Sequence, residues 1–486
     1  MQDGTPAEML TDKNPDNQDE ELLDQDTEVE EEDDEDDEED FEEEDSTEPQ
    51  PDQGEKPYDP TRQLQNLTQI SHESNDSQRR RRKRAKVDKI KNRGGKKKRR
   101  GDRGEGGMDF SNDFDPRSET EEYTGYIQVS DGGHAFMRSE KASFIAQEAD
   151  ILVPREMISR FGLRSGHKIH CLVRMKKNHR QKLVTNLLGV QDLPLDQWRP
   201  SPYFQSLTSV NPFENYKLSH ASDLDKSMIM LELLTPIGKG QRGLIVAPPR
   251  TGKTILMEKI ANGIASNHPD AEIMLLLIDE RPEEVTHLNR RVKGKVYASC
   301  LDKPIEEHIA LCQMVIDIAQ RKVESGKDVV ILLDSITRMA RAYNNQLKSS
   351  GRTLSGGVDA KALMEPKKFF GAARKLEEGG SLTIIATALV QTGSQMDEVI
   401  FQEFKGTGNM ELVLNRRLAE KRIYPAIDIG MSGTRREELI MPPEIFKAAS
   451  KFRRYLANLT EANQMPAAIQ ALEKYKSTQD FVNAFQ

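Results

Sequence analysis

The chain has 486 residues, room for two or three domains with cores of ordinary size, and its formal net charge of -11 joins two unlike regions. Residues 1–107 hold 34 Asp and Glu against 19 Lys and Arg, which leaves 47 against 51 over the rest, so the folded part is mildly basic and suits a partner with a phosphate backbone. Cys171, Cys300 and Cys312 form no CxxC pair and have no histidines at ligand spacing, no run approaches the ~18 apolar residues that span a bilayer, and the start lacks a signal-peptide pattern; reduced core thiols in a soluble, cytoplasmic protein follow, with no membrane partner.

In chain order, residues 1–107 carry too few apolar groups to offset the entropy of ordering and read as a disordered tail. Positions 28–45 are acidic at 16 of 18, and positions 79–100 are basic at 15 of 22. Two readings stay open: a solvated tail whose halves attract each other, or a basic arm that grips nucleic acid with the acidic block competing for it. Nuclear localisation is a third reading of such basic runs, and the remainder of the chain argues against it.

Over 120–197 the short apolar stretches Tyr123–Val129, Ile169–Val173 and Leu183–Val190 are separated by Gly, Asp, Ser and basic turns, which predicts a small β-barrel. Residues 198–238 read as a connector ending in the apolar stretch Met228–Leu234. From 239 to 442 apolar runs alternate with helical patterns. The runs Arg242–Ala247, Glu272–Ile278, Asp328–Asp334 and Ser381–Val390 suit strands covered on both faces, and helices are expected from about Lys253, near Glu283 and from about Ile305. Such alternation predicts an α/β motor-type core built on a largely parallel sheet, and residues 443–486 read as C-terminal helices.

The chemistry sits in that core. Residues 247–254, AlaProProArgThrGlyLysThr, follow an apolar strand and run into a helix, the context of a phosphate-binding loop. Successive backbone N–H groups of Ala247, Pro248, Pro249, Arg250, Thr251 and Gly252, prolines excepted, would wrap the phosphates of ATP; Lys253 would reach the terminal phosphates and Thr254 would bind Mg²⁺. Ala247 departs from GxxxxGK[ST] at the first glycine. Asp334 ends a second strand, where a carboxylate stands beside the loop to hold Mg²⁺ through water. Glu280 ends the strand between them and is the candidate general base. Ring-forming ATPases also need a cation from a neighbour, and Arg422 and Arg435 are late-chain candidates between which sequence alone does not choose.

The stretches Gly240–Pro249, Ile278–Thr286, Leu332–Asn344, Phe369–Arg374, Gln402–Leu412 (with Gln402 in place of Glu) and Pro425–Ile429 closely resemble the bacterial transcription termination factor Rho family. The likeness covers roughly 125–470 and includes Ala247 and the GluArgProGluGlu turn, which rotary ATP synthase subunits and replicative helicases do not share in this form. It implies a RecA-like ATPase core preceded by an oligonucleotide-binding (OB-fold) barrel, in a cytoplasmic bacterial homohexamer that hydrolyses ATP at subunit interfaces, pulls single-stranded RNA and acts on the RNA polymerase elongation complex. By motif match, Arg250 assists the loop, Arg281 flanks the base, Arg435 is the arginine finger with Arg422 a second trans-acting cation, and Tyr424 stacks on adenine.

The resemblance also implies two channel loops, 350–358 with Arg352 and 391–397 with Thr392 and Gln395, where Gln395 replaces a lysine, so that either RNA is bound more weakly or Lys405 and Arg352 compensate. In the barrel the family's two aromatics alternating with glycine become Gly132–Arg138: Phe136 stays as a stacking residue, His134 replaces the other ring and Arg138 meets phosphate. Val184 is expected at the place of a later tyrosine, and the family's N-terminal helical bundle is replaced by the charged tail. A RecA-like hexameric translocase outside termination and a nucleotide-regulated RNA-binding protein without catalysis are the other readings. The second would be expected to have lost Glu280, Lys253 or the finger, and all three residues are present.

Overall fold

The computed structural model describes residues 118–176, 181–220, 226–347 and 354–485. The stretch read as a charged tail over 1–107, with its acidic and basic blocks, lies outside them, as does Arg352.

The first region is built by two-residue alternation. In β2 (Ala135–Arg138), β3 (Ile151–Val153) and β4 (Lys168–Met175) buried apolar residues alternate with outward ones, whereas β1 (Glu121–Val129) buries only Tyr126 and Ile127 and β5 (Lys182–Val190) breaks the alternation at Leu183–Val184 and Gly189–Val190. Ala135 and Met137 thus point inward while Phe136 and Arg138 point outward, and Ile151 and Val153 flank an outward Leu152. The strands run in the order β3-β2-β1-β4-β5, β6 (Leu193–Pro194) lies on β5, and pairing of Leu152 with Leu183 joins β3 back to β5. The sheet closes into a barrel around Ile127, Met137, Val153, Ile169, Cys171 and Val173, which leaves few edges for stray pairing. One expectation fails here. Val184 is fully buried in this core, so it cannot stand where a ring would stack on a base; the outward neighbour of Phe136 on β3 is Leu152.

The second region is a sheet of β8 (Arg242–Ala247), β9 (Glu272–Glu280), β10 (Lys295–Cys300), β11 (Asp328–Asp334), β13 (Ser381–Leu389) and β14 (Met410–Val413), all parallel in the order β10-β9-β11-β13-β8-β14. Its strands read as continuous apolar runs because both faces are covered. Leu244, Val246, Ile331 and Leu333 pack under helices Ile305–Glu324, Ile336–Gln346, Met364–Gly371 and Gln395–Lys405. Their neighbours Ile245, Ala247, Val330 and Leu332 pack under helices Ser227–Leu234, Lys253–Asn267 and Pro282–Arg291 and the C-terminal helices Pro443–Ala457, Glu461–Glu473 and Thr478–Phe485.

Three short antiparallel strands finish the sheet: β15 (Gly433–Thr434) on β14, and β12 (Arg374–Leu376) between β13 and β7 (Ser209–Val210). The stretch read as a connector therefore supplies a strand and the buried helix Ser227–Leu234 to the motor. The barrel rests directly on the long helix Ile305–Glu324. Gly166 lies at φ +86, and a Cβ there would come within 2.3 Å of the Asp317 carbonyl carbon. On the same turn Arg164 forms an ion pair at 2.9 Å with Glu324, whose side chain is 1% exposed.

Candidate functional site

At the C-terminal ends of β8, β9 and β11 three functional elements converge, the place where open parallel sheets bind ligands. The loop after β8 turns sharply: Arg250 and Gly252 both lie at positive φ, +64 and +84, and Thr251 is buried with its hydroxyl donating to Pro248 O at 2.8 Å. Ala247 and Pro248 are buried, whereas Pro249 and Arg250 are exposed. Lys253 and Thr254 then open the helix, so its positive N-terminus faces the concavity of the loop.

Lys253 Nζ lies 2.5 Å from Asp334 Oδ1 and 3.8 Å from Glu280 Oε1, which makes it the shared cation of two buried carboxylates. Thr387 on β13 donates to Asp334 Oδ1 at 2.8 Å, and Arg338 approaches Glu280 Oε1 at 3.3 Å. Glu280 is pushed up to about 7, first by burial and then by the Asp334 charge, against the pull of Lys253 and Arg338. Among the described residues the buried carboxylate oxygens Asp334 Oδ2 and Glu280 Oε1 accept no hydrogen bond, and Glu280 Oε1 is held by ion pairs alone. Hard carboxylate oxygens with hydrogen-bonding capacity to spare, beside a nest of N–H groups, fit a nucleotide and the divalent cation that travels with it.

Tyr424 stands over the same helix start, with ring carbon Cε1 3.4 Å from where a Gly252 Cβ would sit. With Thr251, Ile255, Leu414 and Ala426 it lines a mostly apolar cleft of about 260 Å³, a shape that takes a base against a ring face. Arg422, at φ +61, is exposed in the turn just before it. Arg281 is exposed and precedes the helix Pro282–Arg291. Arg435 is elsewhere. It follows β15, where Thr434 pairs with Met410 and Met410 with Gly243, the second residue of β8. Its own loop begins at the other end of β8, about 13 Å further along the strand. Arg435 is exposed and cannot serve the loop of its own chain.

Beyond the C-terminal end of β13, the parallel neighbour of β8 and β11, Gly356 and Gly357 line one open cleft with Ser394, Gln395 and Met396, so the two expected channel loops adjoin over their described residues. Thr392 donates to Asp397 at 2.7 Å, and Arg341 grips the same buried carboxylate with two hydrogen bonds of 2.7 Å. Lys405 ends the helix that Gln395 begins, about 15 Å away along its axis. It is not part of that loop cluster.

On the barrel, His134 is exposed in the turn before β2 and Phe136 is half-buried on the outer face. The Arg138 guanidinium lies 5.1 Å from the Phe136 ring centroid, donates to Gln128 Oε1 at 2.8 Å and is ion-paired with buried Asp150. It therefore orients the ring and keeps only part of its donor capacity for a phosphate. Arg338, Thr387, Asp397 and Asp150 escaped the sequence reading. Thr387 left a signal, a hydroxyl inside an otherwise apolar run, but the others look like ordinary surface charges until the fold pairs them.

A family description, "Rho termination factor, RNA-binding domain", matches residues 123–195, and "ATP synthase alpha/beta family, nucleotide-binding domain" matches 227–434. Among curated relatives, the transcription termination factor Rho of Cereibacter sphaeroides is 47% identical over 363 residues, and that of Escherichia coli (strain K12) is 49% identical over 362. Each alignment covers 74% of this chain and 86% of the relative. A solved ATPase from the type III secretion system of pathogenic bacteria shares the fold at a TM-score of 0.50 and 23% identity, over 62% of this chain and 94% of its own.

Proposed function

The chain belongs to the transcription termination factor Rho family, and from that premise we propose how its residues carry out the work of an RNA-dependent ATP hydrolase that terminates transcription. The motor acts in a homohexameric ring, with each nucleotide held between one subunit's loop and the next subunit's arginines, and single-stranded RNA drawn through the centre. The position of Arg435 carries this reading: a chain whose candidate finger sits at the far end of its own sheet needs a neighbour to complete the site.

Within one site, backbone N–H groups of residues 250–254 bind the phosphates, Lys253 leaves Asp334 for the terminal phosphate, and Tyr424 packs on the base. Thr254 and Asp334 would hold Mg²⁺, which supplies charge neutralisation at the transferring phosphoryl group. Glu280, buried and raised in pKa, takes the proton of the attacking water, with Arg281 and Arg338 beside it. Arg435 and Arg422 of the next subunit would neutralise the charge that develops on the phosphate. Cytoplasmic action on the RNA polymerase elongation complex completes the reading, and among the described residues no helix is long and apolar enough to cross a membrane. We also propose the domain division 120–197 for the RNA-binding barrel, 239–442 for the motor, 198–238 for the segment joining them and 443–486 for the C-terminal helices. ATP turnover by the purified protein with RNA homopolymers, compared with single-stranded DNA, tests motor and ligand together; stimulation by DNA alone would refute the RNA assignment.

RNA is first caught on the barrel, where Phe136 is the one outward ring of β2. Phe136→Ala is expected to weaken binding of a short RNA by about 1–3 kcal/mol, roughly 5- to 150-fold in Kd, with thermal stability little changed. The basic block at 79–100 is proposed to add affinity that a barrel with few rings lacks. Deleting residues 1–107 should then lower RNA affinity and flatten its dependence on salt; an unaltered slope in fluorescence titrations would remove the tail from RNA binding.

A further inference from the structure

Where the barrel rests on the long motor helix there is a cleft of about 620 Å³, a volume that suits a nucleobase with its sugar. Both domains wall it: Gln128 from the barrel, Asp317 and Gln320 from the helix, Phe204 from the connecting segment and Arg374 from the motor sheet. Its geometry is fixed from outside. Gly166 seats the barrel on the backbone of Asp317, and Glu324, about two turns on, accepts from Arg164, Arg321 and the Phe204 amide at 2.7–3.0 Å. These contacts leave the Asp317 side chain beside the cavity, where its carboxylate makes no hydrogen bond with any described residue. Burial pushes that carboxyl up to about 6 against the pull of the Arg321 charge one turn on, which leaves an acceptor with no hydrogen bond to satisfy it. On the opposite wall the Arg374 guanidinium lies 4.8 Å from the Phe204 ring centroid.

The cleft is continuous with the RNA face of the barrel. Gln128 sits directly across the β1–β2 pair from Phe136, and Arg138 touches both. A base stacked on Phe136 therefore has Gln128 as its neighbour, and the next nucleotide meets the cleft that Gln128 lines. Inside, Asp317 offers an acceptor with two oxygens. Its complement is a pair of adjacent in-plane N–H donors, and among RNA bases guanine alone offers one, at N1 and N2. Adenine, cytosine and uracil each set a single donor group beside an acceptor that would oppose the carboxylate.

We propose that this cleft is a second base subsite of the barrel–motor junction, which takes a guanine of the RNA adjacent to the nucleotide on Phe136 and reads its N1–H and N2–H edge with Asp317. The proposal rests on the barrel binding RNA. The test uses full-length protein and a short oligocytidine in which one guanine is moved from position to position. Guanine at one position should tighten binding by about tenfold. Inosine there, which lacks the N2 amine, should lose most of that gain on the unaltered protein, and Asp317→Asn should abolish it while the affinity for oligocytidine stays the same. Binding of oligocytidine with no effect of guanine at any position would overturn the subsite and leave RNA binding intact. Failure of every oligonucleotide to bind would overturn both. Competition by free guanosine, with the motor site filled by a non-hydrolysable ATP analogue and guanine in RNA silent, would assign the cleft to a free nucleoside and likewise overturn the RNA subsite.

Discussion

Replacing Arg435 with alanine is expected to lower the kcat of RNA-stimulated ATP hydrolysis by about 10³- to 10⁵-fold while ATP binding is largely kept, the loss typical of an arginine finger acting on a dissociative transition state. β15 carries Arg435 to the N-terminal end of β14, and the phosphate loop lies at the C-terminal end of the adjacent parallel strand. A cation so placed can help only a site on another copy of the chain. Mixing Arg435→Ala protein with Lys253→Ala protein, each inactive alone, should therefore restore part of the activity. In a mixed ring some interfaces join an intact loop from the first variant to an intact finger from the second. If Arg435 acted within its own chain, no mixture would recover turnover, and that result would refute the trans assignment.

The second large effect is expected at Glu280. Glu280→Gln should retain ATP binding and reduce turnover by about 10²- to 10⁴-fold, because the amide keeps the shape but cannot accept a proton. The pKa also sets the sign of the pH dependence. A carboxyl raised to about 7 is protonated and idle as a base below that value and ionised above it, so turnover should climb as pH rises through about 7 and level off beyond. Loss of the Lys253 contact on nucleotide binding would shift this point upward, and a Mg²⁺ ion nearby would shift it down. A flat profile from pH 6 to 8, or wild-type hydrolysis in the variant, would remove Glu280 from the role of base.

Much of the motor was legible in the sequence because its signals are local. Apolar runs of strand length, a loop that passes from strand to helix, and carboxylates that end strands are all read from contiguous residues, and the sheet gathers Ala247, Glu280 and Asp334 as their positions imply. What escaped was set by pairing across the fold. Arg338 reaches Glu280 only because the first turn of helix Ile336–Gln346 lies between the ends of β9 and β13, with Thr337 on Leu389 and Arg338 on Glu280, and Asp397 matters only once Arg341 folds onto it. The barrel was read less well for a related reason. A strand of period two changes face with a slip of one residue, so Val184, which looks like any exposed strand position, falls inside, and Leu152 takes the outward place beside Phe136. Arg138 looked like a free phosphate ligand because nothing local marks Asp150 as its partner.

The mounting of the barrel on the helix Ile305–Glu324 has a further consequence for how RNA is held. Gly166 against Asp317 and Arg164 against Glu324 fix each barrel to its motor, where a loose tether would let it wander. In the proposed sixfold ring, such barrels would form an array of footholds at constant spacing. Once one has caught a transcript, the others meet the same strand at a high effective concentration, so avidity grows with no new contact. A barrel with few stacking rings would hold RNA weakly alone, yet six of them at fixed separations would hold a long transcript firmly and a short one poorly. Length of RNA, more than the strength of any single foothold, would then decide which transcripts the ring engages.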